Sequence, residues 1–109
     1  MSDQIKTINP ATEEELKSYP LMSADETAKI IEDCHQAFLS WKNVDSNKRA
    51  EIIKSIGESL KKHKQELVNL MTQEMGKLLK QGEQEIDLCI GICDFTASNG
   101  RVYPATNTL

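Results

Sequence analysis

The chain has 109 residues, a net charge of −4 and a pI near 5.2, with 39% hydrophobic and only 5% aromatic residues. That length supports one small, aliphatic core, for which Phe38, Trp41 and Phe95 are the expected large anchors. The acidic balance excludes a nucleic-acid surface, which needs clustered Lys and Arg against phosphate, and no stretch is long and apolar enough to cross a membrane. Cys34, Cys89 and Cys93 are odd in number and lack framework spacing, so a reducing compartment is expected. No signal-peptide pattern follows the polar Ser2-Asp3-Gln4. These features predict a soluble, cytoplasmic protein.

In chain order, β-branched residues with partial alternation over 4–9 lead to a turn at Asn9-Pro10-Ala11-Thr12-Glu13. A second, less regular alternation runs from Glu15 to Leu21. Together they predict a hairpin over about 4–21. An isolated hairpin is marginal in water, so it needs a covering element. Ser23-Ala24-Asp25-Glu26 has the spacing of a capping box, in which the hydroxyl and the carboxylate satisfy each other's backbone amides. It opens a helix over about 23–42, with Thr27, Ile31, Cys34, Phe38 and Trp41 on the expected inner face. Asp45 or Ser46 caps a second helix over about 45–62. Ala50, Ile53, Ile56, Gly57 and Leu60 form its inner face, and Lys61-Lys62-His63-Lys64 makes a solvated break.

Two further helices, over about 64–75 and 77–99, meet at Glu74-Met75-Gly76-Lys77. Before this joint Leu67, Leu70, Met71, Met75 and Leu78 fall at helical spacing. After it Leu79, Ile86, Cys89, Ile90, Cys93 and Ala97 do the same. Gly76 lacks the Cβ that opposes a left-handed helix end. Gly82 reads as a weak point inside the last helix. Residues 100–109 leave the helical pattern as an extended tail.

The chemistry-bearing residues are sparse. Cys89 and Cys93 share a helix face, but no C-x-x-C pair exists, and His35 and His63 are not spaced for zinc. Cysteines beside Ile and Leu serve as small core residues. Sitting mid-helix, they also lack the base or helix N-terminus that activates a nucleophile. Glu83, Glu85 and Asp87 read as a solvated helix face. No glycine-rich turn follows a strand, so nothing cradles a dinucleotide.

The same residues resemble, in order and spacing, the start of the NAD(P)-dependent aldehyde dehydrogenases, nearest the succinate-semialdehyde dehydrogenase branch. Ile8-Asn9-Pro10-Ala11-Thr12 is similar to that family's opening hairpin, and Ala37-Phe38 with Trp41 to its A-F-x-x-W helix. Arg49 matches the arginine opening the second helix, and Glu74-Met75-Gly76-Lys77 the E-x-G-K motif. Glu85-Ile86 and Phe95-Thr96-Ala97 match features of the helix that follows. Glu13 stands where a turn glycine is usual, and Leu78 where a proline is common.

The resemblance implies a mainly α chain with an N-terminal β-hairpin, a fragment of the α/β aldehyde dehydrogenase fold. The parent enzyme oxidises an aldehyde to a carboxylic acid. A thiolate adds to the aldehyde, hydride passes to NAD or NADP, and the thioester is hydrolysed. The family's catalytic residues and dinucleotide-binding strands lie further along, so this chain alone is expected to be inactive and to bind no cofactor or metal. Its implied partner is the remainder of the dehydrogenase fold, within a homo-oligomer. By the same resemblance Glu85 and Cys89 are candidates for the substrate-tunnel wall. A free-standing helical interaction module descended from that family is the alternative.

Overall fold

In the computed structural model, residues 3–100 are described; the expected tail from residue 101 onward lies outside them. The element order is β1 (Gln4–Ile8), β2 (Glu15–Pro20), α1 (Ala24–Trp41), α2 (Ser46–Lys62), α3 (Lys64–Met75) and α4 (Leu79–Asn99). The fold is thus mainly helical behind one antiparallel hairpin.

The hairpin pairs Gln4 with Pro20 and Ile5 with Tyr19, and an irregularity between Thr7 and Ile8 shifts the register. Asn9 builds the turn. Its Oδ1 accepts from the amides of Ala11 (2.9 Å) and Thr12 (3.3 Å), and its carbonyl accepts from Glu13 N–H at 2.8 Å. Glu13 adopts φ 64°, a left-handed conformation that costs a residue with a Cβ roughly 1–2 kcal/mol. A glycine would hold the same turn without that cost.

The capping box forms at the start of α1. Glu26 N–H donates to Ser23 Oγ at 3.1 Å, and Ser23 N–H donates to Glu26 Oε2 at 2.8 Å. Asp45 caps α2 by accepting from Asn47 N–H at 2.9 Å. His63 divides α2 from α3, with its Nδ1 2.9 Å from the Ser59 carbonyl. Gly76 ends α3 at φ 67° and donates to the Thr72 carbonyl at 3.0 Å. α4 starts at Leu79 rather than Lys77, because the chain runs extended through Leu78 (φ −62°, ψ 140°).

The core lies where α2 and α3 pack against α4. Val68, Ile86 and Ile90 are its buried side chains, bordered by Leu60, Leu67 and Met71. Val68, fully enclosed, stands on the α3 face between Leu67 and Met71, a position the apolar spacing assigned instead to Leu70. Leu70, Met75, Leu78 and Leu79 face solvent, as does Ile56 of α2. Gly82 proves to be a packing position rather than a weak point: a Cβ there would lie 3.2 Å from Val68 Cγ1. A Cβ on Gly57 would lie 3.1 Å from Cys93 Cβ. Both glycines let helix axes approach more closely than larger residues allow.

The expected aromatic anchors do not enter this core. Phe38 is 52% exposed, Trp41 40% and Phe95 57%. α1 buries none of its residues, and its intended inner face of Thr27, Ile31, Cys34, Phe38 and Trp41 is open. The physical reason is geometric: α2 and α3 pack extensively on α4, β1 pairs with β2 and touches α3, whereas α1 makes no comparable contact with another described element. The radius of gyration is 18.6 Å, against about 13 Å for a compact globule of this length.

Candidate functional site

Glu85 and Cys89 are one turn apart on α4, so they project from the same side of the helix. Glu85 is exposed and its carboxylate pairs with the Lys77 ammonium. Gly76 makes that contact possible by turning the chain so that Lys77 reaches forward to α4. Lys64 makes a parallel link, 2.7 Å from Asp87. The acidic residues of α4 therefore do more than solvate a face: two of them tie α3 and the joint to α4. Glu83 is exposed. Cys89 is half-buried beside Ile90, and Cys93 is half-buried against Gly57.

Among the described residues no cysteine shares a hydrogen bond with a histidine or carboxylate, and no group of His, Cys, Asp and Glu is placed to hold a metal ion. Cys34 is exposed on α1. His35 lies near Phe38, with ring centroids 6.5 Å apart. The displaced acidities belong to structural contacts. The Ser23 amide and hydroxyl hold Glu26 below the usual carboxylate range. Ser18, then Lys6, lowers Glu15, and hydrogen bonding to Glu58 raises Lys61. The described strands form an antiparallel hairpin closed by an Asn9 turn rather than a strand feeding a glycine-rich turn and helix.

Two depressions flank α2. One, of about 730 Å³, is an open cleft whose Lys54 and Lys61 face Glu51, Glu58 and Asp94. The other, of about 300 Å³, is more apolar and brings Arg49 together with Trp41, Ala50, Ile53 and Thr96. Sequence spacing alone does not reveal this second pocket, since it joins the end of α1 to the start of α2 and the end of α4. The hairpin turn also meets the E-x-G-K joint. A Cβ at Gly76 would lie 3.3 Å from Pro10 Cγ, so two motifs over sixty residues apart in sequence are neighbours in the fold.

The profile of the aldehyde dehydrogenase family matches residues 1–108, and the chain belongs to that family. It is 32% identical over 106 residues to aldehyde dehydrogenase family 7 member A1 of Malus domestica, covering 93% of this chain and 21% of the relative. To the succinate semialdehyde dehydrogenase (NAD(P)+) Sad of Escherichia coli K12 it is 32% identical over 94 residues, covering 86% and 20%. The crystal structure of an E. coli NADP dependent enzyme superposes with a TM-score of 0.83 at 32% identity, over 89% of this chain and 20% of that one. The chain thus spans about a fifth of the length of these relatives.

Proposed function

We propose that these residues form the opening segment of an NAD(P)+-dependent aldehyde dehydrogenase that oxidises a semialdehyde, of the succinate-semialdehyde type, to the carboxylic acid. The observation that carries this is the match of nearly the whole chain to one-fifth of such enzymes, joined to a hairpin and α1 whose apolar side chains lack cover. The segment's work is structural. The α2–α4 core holds α4 in place, and Lys77 orients Glu85 beside Cys89. In the complete enzyme that side of α4 forms part of the substrate-tunnel wall. The nucleophile, the base and the dinucleotide site are supplied by the remainder of the fold, so the segment alone is inactive. The parent assembles as a cytoplasmic homo-oligomer.

A chimera tests this. Residues 1–109 replace the matching segment of the E. coli succinate semialdehyde dehydrogenase, and NAD(P)+ reduction with succinate semialdehyde is followed. The expected result is turnover by the chimera and none by the isolated chain. Turnover by the isolated chain would contradict the structural role. An insoluble chimera would contradict the assignment to that position of the fold.

A further inference from the structure

Three cations are half-buried among the described residues: Arg49, Lys64 and Lys77. Two are compensated by α4, Lys64 through Asp87 and Lys77 through Glu85. The guanidinium of Arg49 has no ion pair or hydrogen bond to another described residue. It lines the 300 Å³ pocket together with Trp41, Ser46, Ala50, Ile53, Thr96 and Gly100. Partial burial removes water from a charge, and the loss is offset only when an acceptor is provided. Lysines at the surface, such as Lys54 and Lys80, keep their hydration and need none. A guanidinium presents a rigid fork of donors that matches a carboxylate, and the apolar walls suit an aliphatic stem.

We propose that this pocket receives a carboxylate-bearing segment from the remainder of the dehydrogenase, with Arg49 pairing the carboxylate and Trp41 and Ile53 covering its stem. The inference rests on the assignment above, that a larger fold completes this chain. Three observations favour that occupant. Among the described residues the charge in the pocket is single and uncompensated, and about four-fifths of the relatives' length lies outside the matched segment. The pocket also adjoins the C-terminal end of α1, whose apolar face is uncovered. One inserted segment would cover Trp41 and neutralise Arg49 together.

The test compares the same substitutions in two contexts. In the full-length chimera Arg49→Gln lowers Tm by roughly 3–8 °C, Arg49→Lys lowers it less, and the exposed control Lys54→Gln leaves it within about 1 °C. In the isolated chain Arg49→Gln leaves helicity unchanged, because its partner is elsewhere. An unchanged Tm in the chimera overturns the docking role while leaving the dehydrogenase assignment intact. Equal damage in both contexts also overturns it, since Arg49 would then serve the segment's own fold. Binding of free succinate by the isolated chain, lost in Arg49→Gln, overturns it in favour of a small-ligand pocket. A chimera that fails to fold with Arg49 present overturns both the inference and the assignment beneath it.

Discussion

The hairpin with α1 and the α2–α4 bundle have local signals of similar strength but opposite fates. Both regions carry capped helices and apolar stripes at helical spacing. Only the bundle encloses side chains, centred on Val68, Ile86 and Ile90. α1 has the more complete cap, yet Phe38 and Trp41 remain open to solvent. The difference shows that an amphipathic face states a requirement for burial, not where the burial occurs. In the bundle Gly57 and Gly82 bring the helices together. For α1 no element among residues 3–100 supplies the counterpart.

Substitutions in the two regions should separate them sharply. The largest effect is expected for Val68→Asp, which buries an unpaired charge at the most enclosed position. It should melt α3 against α4, seen as loss of amide protection in both helices, at a cost above roughly 4 kcal/mol. Val68→Ala should reduce the opening free energy of the same amides by about 2–3 kcal/mol. Gly82→Leu comes next, with about 1–3 kcal/mol of overpacking against Val68 and Met71. Phe38→Ala, although it removes a larger side chain, should stay within about 0.5 kcal/mol in the isolated chain, because that ring is half exposed. A loss comparable to that of Val68→Ala would erase the distinction between the regions.

Smaller effects sharpen the picture of the exposed half. Glu13→Gly should stabilise the hairpin by about 1 kcal/mol, read from chemical shifts of the paired strands, since it relieves φ 64°. Acidification should loosen the start of α1. The folded-state acidity of Glu26 is shifted so that the charged form is favoured, by the Ser23 amide first and its hydroxyl second. The capping contribution is therefore present above the unfolded-state pKa and lost as pH falls through the lower, folded-state value. Glu26→Gln should retain a cap and remove that pH dependence, measured by helicity across the acidic range.

The local grammar of the fold was legible in the sequence. Ser23 and Glu26 announced a cap, Asn9-Pro10 a turn and Gly76 a left-handed helix end, each because backbone chemistry acts over a few residues. Three-dimensional facts were not. Val68 and Leu70 are both plausible on an apolar face, and only the approach of α4 selects Val68. Gly82 carries a propensity penalty in isolation, and its value appears once Val68 lies against it. The aromatic anchors were misplaced for a related reason: size and hydrophobicity predict that Phe38 needs cover, not that this stretch of chain provides it. At the candidate site, Glu85 and Cys89 could be placed on one helix side, but the Lys77 contact and the Arg49 pocket depend on how separate elements meet.

The most direct test is residue-resolved hydrogen exchange on the isolated 109-residue chain. Protection concentrated in α3 and α4 around Val68, Ile86 and Ile90, with α1 exchanging at nearly unfolded rates, is the expected result. It would mean that the segment carries a small core of its own and leaves α1 for the rest of a dehydrogenase to cover. Uniform protection from α1 through α4 would contradict this account and identify a free-standing helical module instead.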